Sequence, residues 1–74
     1  MSRVPVVSAE RLLTILLRAG FFMVRQKGSH IRLEHPATRK ATTIPLHASD
    51  LTRKLQMKIL KQAGISGENF RKLM

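Results

Sequence analysis

Apolar positions recur at helical spacing early in the chain, alternate with polar ones in its middle, and return to helical spacing towards its end. In the first stretch Leu12, Ile15, Leu16 and Ala19 share one helical face, widened by Leu13 and Leu17. Ser8 suits the N-cap, Glu10 puts an anion in the first turn, and Gly20 suits the position just past the C-cap. The pattern predicts a helix over residues 9–19. Val4-Pro5-Val6-Val7 ahead of it reads as extended, because proline disfavours helix in the residue before it.

Phe21-Phe22-Met23-Val24-Arg25 has strand character, and Gln26-Lys27-Gly28-Ser29 reads as a turn. Ile31 and Leu33 then alternate with Arg32 and Glu34, the pattern of a half-buried strand. Residues 35–40 turn the chain again, and Ala41-Thr42-Thr43-Ile44 makes a third strand, ended by Pro45. Short strands joined by short turns predict an antiparallel meander. A second helix is built on Leu51, Leu55, Ile59, Leu60 and Ala63, with Asp50 as a start signal, Gly64 past its end and Ile65 making the apolar contact of that cap. Ser66 can cap a last short helix from Gly67 to about residue 73, with Glu68 in its first turn. The expected fold is a two-layer α+β domain of residues 1–74, with helices on one face of a small sheet and the other face open.

Composition sharpens this picture. At 74 residues there is room for one core, and such a chain buries only about 60% of its unfolded surface. There is no cysteine, hence no disulfide or zinc-finger staple. Met1-Ser2-Arg3-Val4-Pro5 lacks the apolar run of a secretory signal, and the longest apolar stretch, residues 12–17, is too short to span a bilayer, so a cytoplasmic protein is expected. Fourteen Lys and Arg against four Asp and Glu give a net charge of +10 and a pI near 11.8. That imbalance implies a polyanionic partner. The cations lie along the whole chain rather than on one amphipathic helix, which favours nucleic acid over a membrane surface.

The chemistry gathers in Arg25-Gln26-Lys27-Gly28-Ser29-His30. Arg25 and Lys27 supply positive charge, Gly28 lets the backbone approach a ligand, and Ser29 offers a small hydroxyl. His30 opens the second strand, where alternation puts it with Arg32 and Glu34 on the open face. Cleavage of RNA without a metal needs a base to take the proton of a ribose 2′-OH, an acid for the leaving 5′-oxygen, and cations beside the phosphorus. Histidine, with an ordinary pKa of about 6.5, serves either role. On spacing alone both readings stand, catalysis by His30 and plain phosphate binding by a basic turn, with the second ahead. His35, before a proline, reads as structural; His47 is a candidate second proton carrier at the sheet edge. No metal-ligand spacing, phosphate loop or dinucleotide glycine pattern is present, so no metal or cofactor is expected.

Several stretches together resemble the HicA family of toxins, the mRNA interferase half of HicAB toxin–antitoxin systems. They are Val6-Val7-Ser8, Ala19-Gly20-Phe21, Val24-Arg25-Gln26-Lys27-Gly28-Ser29-His30, Thr43-Ile44-Pro45-Leu46-His47 and Ile59-Leu60-Lys61-Gln62-Ala63-Gly64-Ile65-Ser66. The resemblance implies a double-stranded-RNA-binding-domain-like fold, His30 as the catalytic histidine, degradation of mRNA with arrest of translation, and a HicB-like antitoxin that masks the site. On that reading Arg25, Lys27, Gly28, Ser29 and Arg32 are the candidates for positioning substrate. Where the family often begins its second helix with a lysine-proline-glycine-threonine-leucine type of start, this chain has Thr52-Arg53-Lys54-Leu55-Gln56, which leaves Ser49 or Thr52 as the expected cap. Two other functions compete: a non-catalytic double-stranded-RNA-binding module, and a protein-interaction domain whose charge serves an acidic partner alone.

Overall fold

A computed structural model describes residues 4–46 and 51–74. The order is helix, three strands, helix, short helix: α1 (Ala9–Arg18), β1 (Phe22–Lys27), β2 (His30–Glu34), β3 (Ala41–Pro45), α2 (Arg53–Ala63) and α3 (Gly67–Leu73). The strands form an antiparallel meander in the order β1-β2-β3. Helices lie on one side of the sheet, giving the two-layer arrangement of a double-stranded-RNA-binding domain.

Each helix is started by a small hydroxyl residue. The Oγ of Ser8 accepts from the Arg11 N–H (3.1 Å), the Oγ1 of Thr52 from Leu55 (3.1 Å), and the Oγ of Ser66 from Asn69 (3.2 Å). Each of these satisfies one of the backbone donors that a first helical turn leaves over. Thr52 is therefore the cap of α2, while Ser49 and Asp50 lie outside the described residues. Gly64 ends α2 in the left-handed conformation (φ 74°), and Ile65 packs half-buried against the core.

The core joins Leu12, Ile15 and Leu16 of α1 to Ile31, Leu33 and Ile44 of the sheet, Ile59 and Leu60 of α2, and Phe70 of α3. Both α1 and α2 pack on the β3 side of the sheet. β2 and β3 alternate between buried and exposed positions as expected for a half-covered sheet, whereas every residue of β1 is exposed. The helical layer stops short of the first strand.

Gln56, in the first turn of α2, is wholly buried. Its Oε1 accepts from the Val7 N–H (2.9 Å) and its Nε2 donates to the Pro5 carbonyl (2.7 Å), so one side chain supplies the two bonds that an adjacent strand would otherwise give the extended lead-in. Arg53 donates to the Val4 carbonyl beside it. Gln56→Ala leaves an N–H and a carbonyl without partners and is expected to cost about 1–3 kcal/mol in chemical denaturation. A loss below about 0.5 kcal/mol would mean that water replaces the amide there.

Candidate active site on the open sheet face

The face of the sheet away from the helices is built by cross-strand pairing. Residues opposite one another in an antiparallel ladder point to the same side. His30 lies between Lys27 on β1 and Pro45 on β3, and Arg32 lies between Arg25 and Thr43. One rung further, Glu34 pairs with Phe22 and Ala41. His30, Arg32, Arg25 and Lys27 are all exposed, so two adjacent rungs of the open face carry four groups that are cationic or can become so.

This arrangement depends on a bulge. Met23 pairs with Leu33 and Arg25 with Arg32, so Val24 is an extra residue with no partner of its own. In a regular ladder Met23 opposite Leu33 would set Arg25 opposite Ile31, on the helix side. The extra residue shifts the phase by one and brings Arg25 and Lys27 round to the face that holds His30.

The turn between β1 and β2 is tighter than the four residues expected from sequence. Gln26 and Lys27 belong to β1, and only Gly28 and Ser29 form the connection. Gly28 has φ 60° at the first central position, where two-residue hairpin turns take glycine. A Cβ built there meets nothing within 4 Å, so the backbone beside His30 is open to a ligand. Gln26 Nε2 donates to the Gly28 carbonyl (3.2 Å), and the Ser29 carbonyl accepts from the Leu46 N–H (2.7 Å), tying the turn to the end of β3.

Arg32 is oriented by Glu34: Nε and Oε2 are 3.4 Å apart on a half-exposed surface. Arg25 stands directly opposite Arg32, two permanent cations facing each other across the ladder, an arrangement that disfavours the empty sheet. A phosphate between them would relieve that repulsion.

The other histidines divide. His35 is structural: its Nδ1 accepts from the N–H groups of Ala37 (3.1 Å) and Thr38 (3.3 Å), and its ring meets Phe21 edge-on at 5.2 Å. A side chain at Gly20 would come within 2.8 Å of its Nε2. His47 lies outside the described residues. Among the described residues no group of three or more His, Cys, Asp or Glu is placed to hold a metal, and no helix is long and apolar enough to cross a membrane.

Arg25, Lys27, Gly28, Ser29, His30 and Arg32, the candidates named from sequence, lie together on one turn and the two rungs beside it. The sequence did not single out Glu34 as the partner of Arg32, although alternation had put the two on one face. A search of curated proteins found no match. A family model described as "HicA toxin of bacterial toxin-antitoxin" matches residues 9–65. Because that match takes in α1, all three strands, the Gly28-Ser29-His30 turn and α2, the chain belongs to the HicA toxin family of bacterial toxin–antitoxin systems.

Proposed function

We propose that this toxin is a metal-independent endoribonuclease that cleaves mRNA, arrests translation, and is neutralised by a HicB-like antitoxin. The observation that carries the reading is the position of His30: exposed on the open face, opposite Lys27, next to the Gly28-Ser29 turn and one rung from the Arg25–Arg32 pair. In this reading His30 acts as general base or general acid. A proton leaves the ribose 2′-OH, the 2′-oxygen forms a bond to the adjacent phosphorus, and the bond to the 5′-oxygen breaks as that oxygen gains a proton. Lys27, Arg25 and Arg32 hold the phosphate and offset the charge that develops on its oxygens, while the open Gly28 backbone and the Ser29 hydroxyl admit and orient it. His47 remains the candidate for the second proton carrier. The cytoplasm, where mRNA is found, is the compartment this function requires.

The test is incubation of end-labelled RNA with purified protein in the presence of a metal chelator. Cleavage supports the reading. Intact RNA from a folded protein that still binds it overturns the reading in favour of a non-catalytic RNA-binding module.

The cations that face the phosphate make a separate prediction. Arg25→Ala with Arg32→Ala is expected to weaken RNA binding and to make log K against log salt shallower by roughly 0.7–0.9 for each phosphate no longer neutralised. Because Arg25 and Arg32 repel across the ladder, Arg25→Ala alone is expected to leave the melting temperature unchanged or raise it slightly. An unchanged salt slope in the double variant would remove both arginines from the RNA interface.

A further inference from the structure

Every residue of β1 is exposed, and its first half is apolar: Phe22 is 45% exposed, Met23 52% and Val24 40%. Other exposed large apolar side chains, such as Leu17 on α1 and Met57 on α2, are not part of such a run. Phe22 points to the open face with Glu34, whereas Met23 pairs with buried Leu33 and points to the helix side, beyond the reach of the helices. The second half of the strand carries Arg25 and Lys27. β1 is also an edge of the sheet, so the main chain on its outer side has no neighbouring strand among the described residues. Apolar side chains above and below, an open backbone edge and two cations thus lie within six residues.

We propose that this edge is a protein docking site, and that its occupant is a segment of the antitoxin carrying apolar side chains next to carboxylates. The proposal rests on the reading that an antitoxin neutralises this toxin, and it names where that partner attaches. Charge selects the occupant. The chain has a net charge of +10, so a second copy would set +10 against +10 at a strand that is itself cationic, while carboxylates would pair with Arg25 and Lys27. The Val24 bulge adds to this, since it breaks the regular ladder that two identical edges need in order to zip together. RNA does not account for Met23, an apolar side chain on the side of the sheet away from His30. A segment laid against Phe22, Met23 and Val24 and continuing along Arg25 and Lys27 reaches the rung of His30. It would exclude RNA by occupying the cations that hold the phosphate.

The test uses the toxin co-expressed with its cognate antitoxin and reads binding alone. Amide hydrogen exchange is compared between free toxin and complex, and complex affinity is measured for Met23→Glu and for Leu17→Glu. Leu17→Glu places the same change on an exposed apolar residue of α1. The expected results are slowed exchange across residues 22–27 in the complex, a loss of affinity of about tenfold or more for Met23→Glu, and little loss for Leu17→Glu. Thermal melting of both variants checks that each is folded. Exchange in residues 22–27 that is the same free and bound would overturn the proposal, as would wild-type affinity of folded Met23→Glu. Neither readout involves RNA, so a toxin that cuts no RNA leaves the docking result standing, and a failed docking result leaves ribonuclease activity untouched.

Discussion

His30→Ala is expected to lower RNA cleavage by about 100- to 10,000-fold, the range that a positioned proton-transfer group supplies. The variant is expected to fold, because His30 is exposed at the start of β2 and lies outside the hydrophobic core. It is also expected to bind RNA at near wild-type strength, since Arg25, Lys27 and Arg32 remain. Loss of cutting with retained binding is the signature that separates a proton-transfer role from plain phosphate binding. Two further outcomes follow if the ribose 2′-oxygen is the nucleophile. Products should carry a 2′,3′-cyclic phosphate and a 5′-hydroxyl, and a substrate with a 2′-deoxyribose at the cut should stay intact with the wild-type protein. A His30→Ala protein that cuts at the wild-type rate would move the chemistry to another group, with His47 the next to replace.

The largest effect on stability is expected at Phe70. This ring is completely buried and is the one buried residue of α3. Removing a buried phenylalanine ring costs about 3–5 kcal/mol through lost transfer energy and the cavity left behind. A domain of this length has roughly 4–11 kcal/mol in total. Phe70→Ala should therefore remove a large part of the stability and lower the melting temperature by more than about 12 °C. Circular dichroism during thermal melting is the measurement, with Phe70→Leu as a partial rescue. A loss under about 1 kcal/mol would mean that α3 is dispensable to the core, in line with its position beyond the matched residues 9–65.

Much of this fold was legible because its boundaries are written in single residues. Ser8, Ser66 and Gly64 announce their helix ends through local chemistry that needs no tertiary context. The β2 alternation correctly put His30, Arg32 and Glu34 on one face and Ile31 and Leu33 on the other. Other features arise only when distant segments meet. Gln56 stands at helical spacing from Ile59, Leu60 and Ala63, on the apolar face, but its amide reads by type as a surface group; it is buried because the lead-in offers one donor and one acceptor at that amide. The Val24 bulge depends on how β1 pairs with β2, and no residue within β1 declares it. For the same reason the exposure of Met23 could not be read, since a strand alone does not show where the helical layer ends. The candidate site followed this division: its residues are neighbours in sequence, but their shared face is a product of the bulge.

The seat of the lead-in has a consequence for how the toxin is made. Pro5 and Val7 are held by Gln56 and Val4 by Arg53, contacts that span 49–51 positions of the chain. A ribosome delivers Val4 through Val7 long before it delivers α2. Until then the lead-in has nothing to dock on, and the closing of so long a loop is deferred. Cooperative folding therefore waits until translation has passed α2. Val4 to Val7 are thus made before the helix that seats them, and their backbone groups find these partners only once α2 has formed.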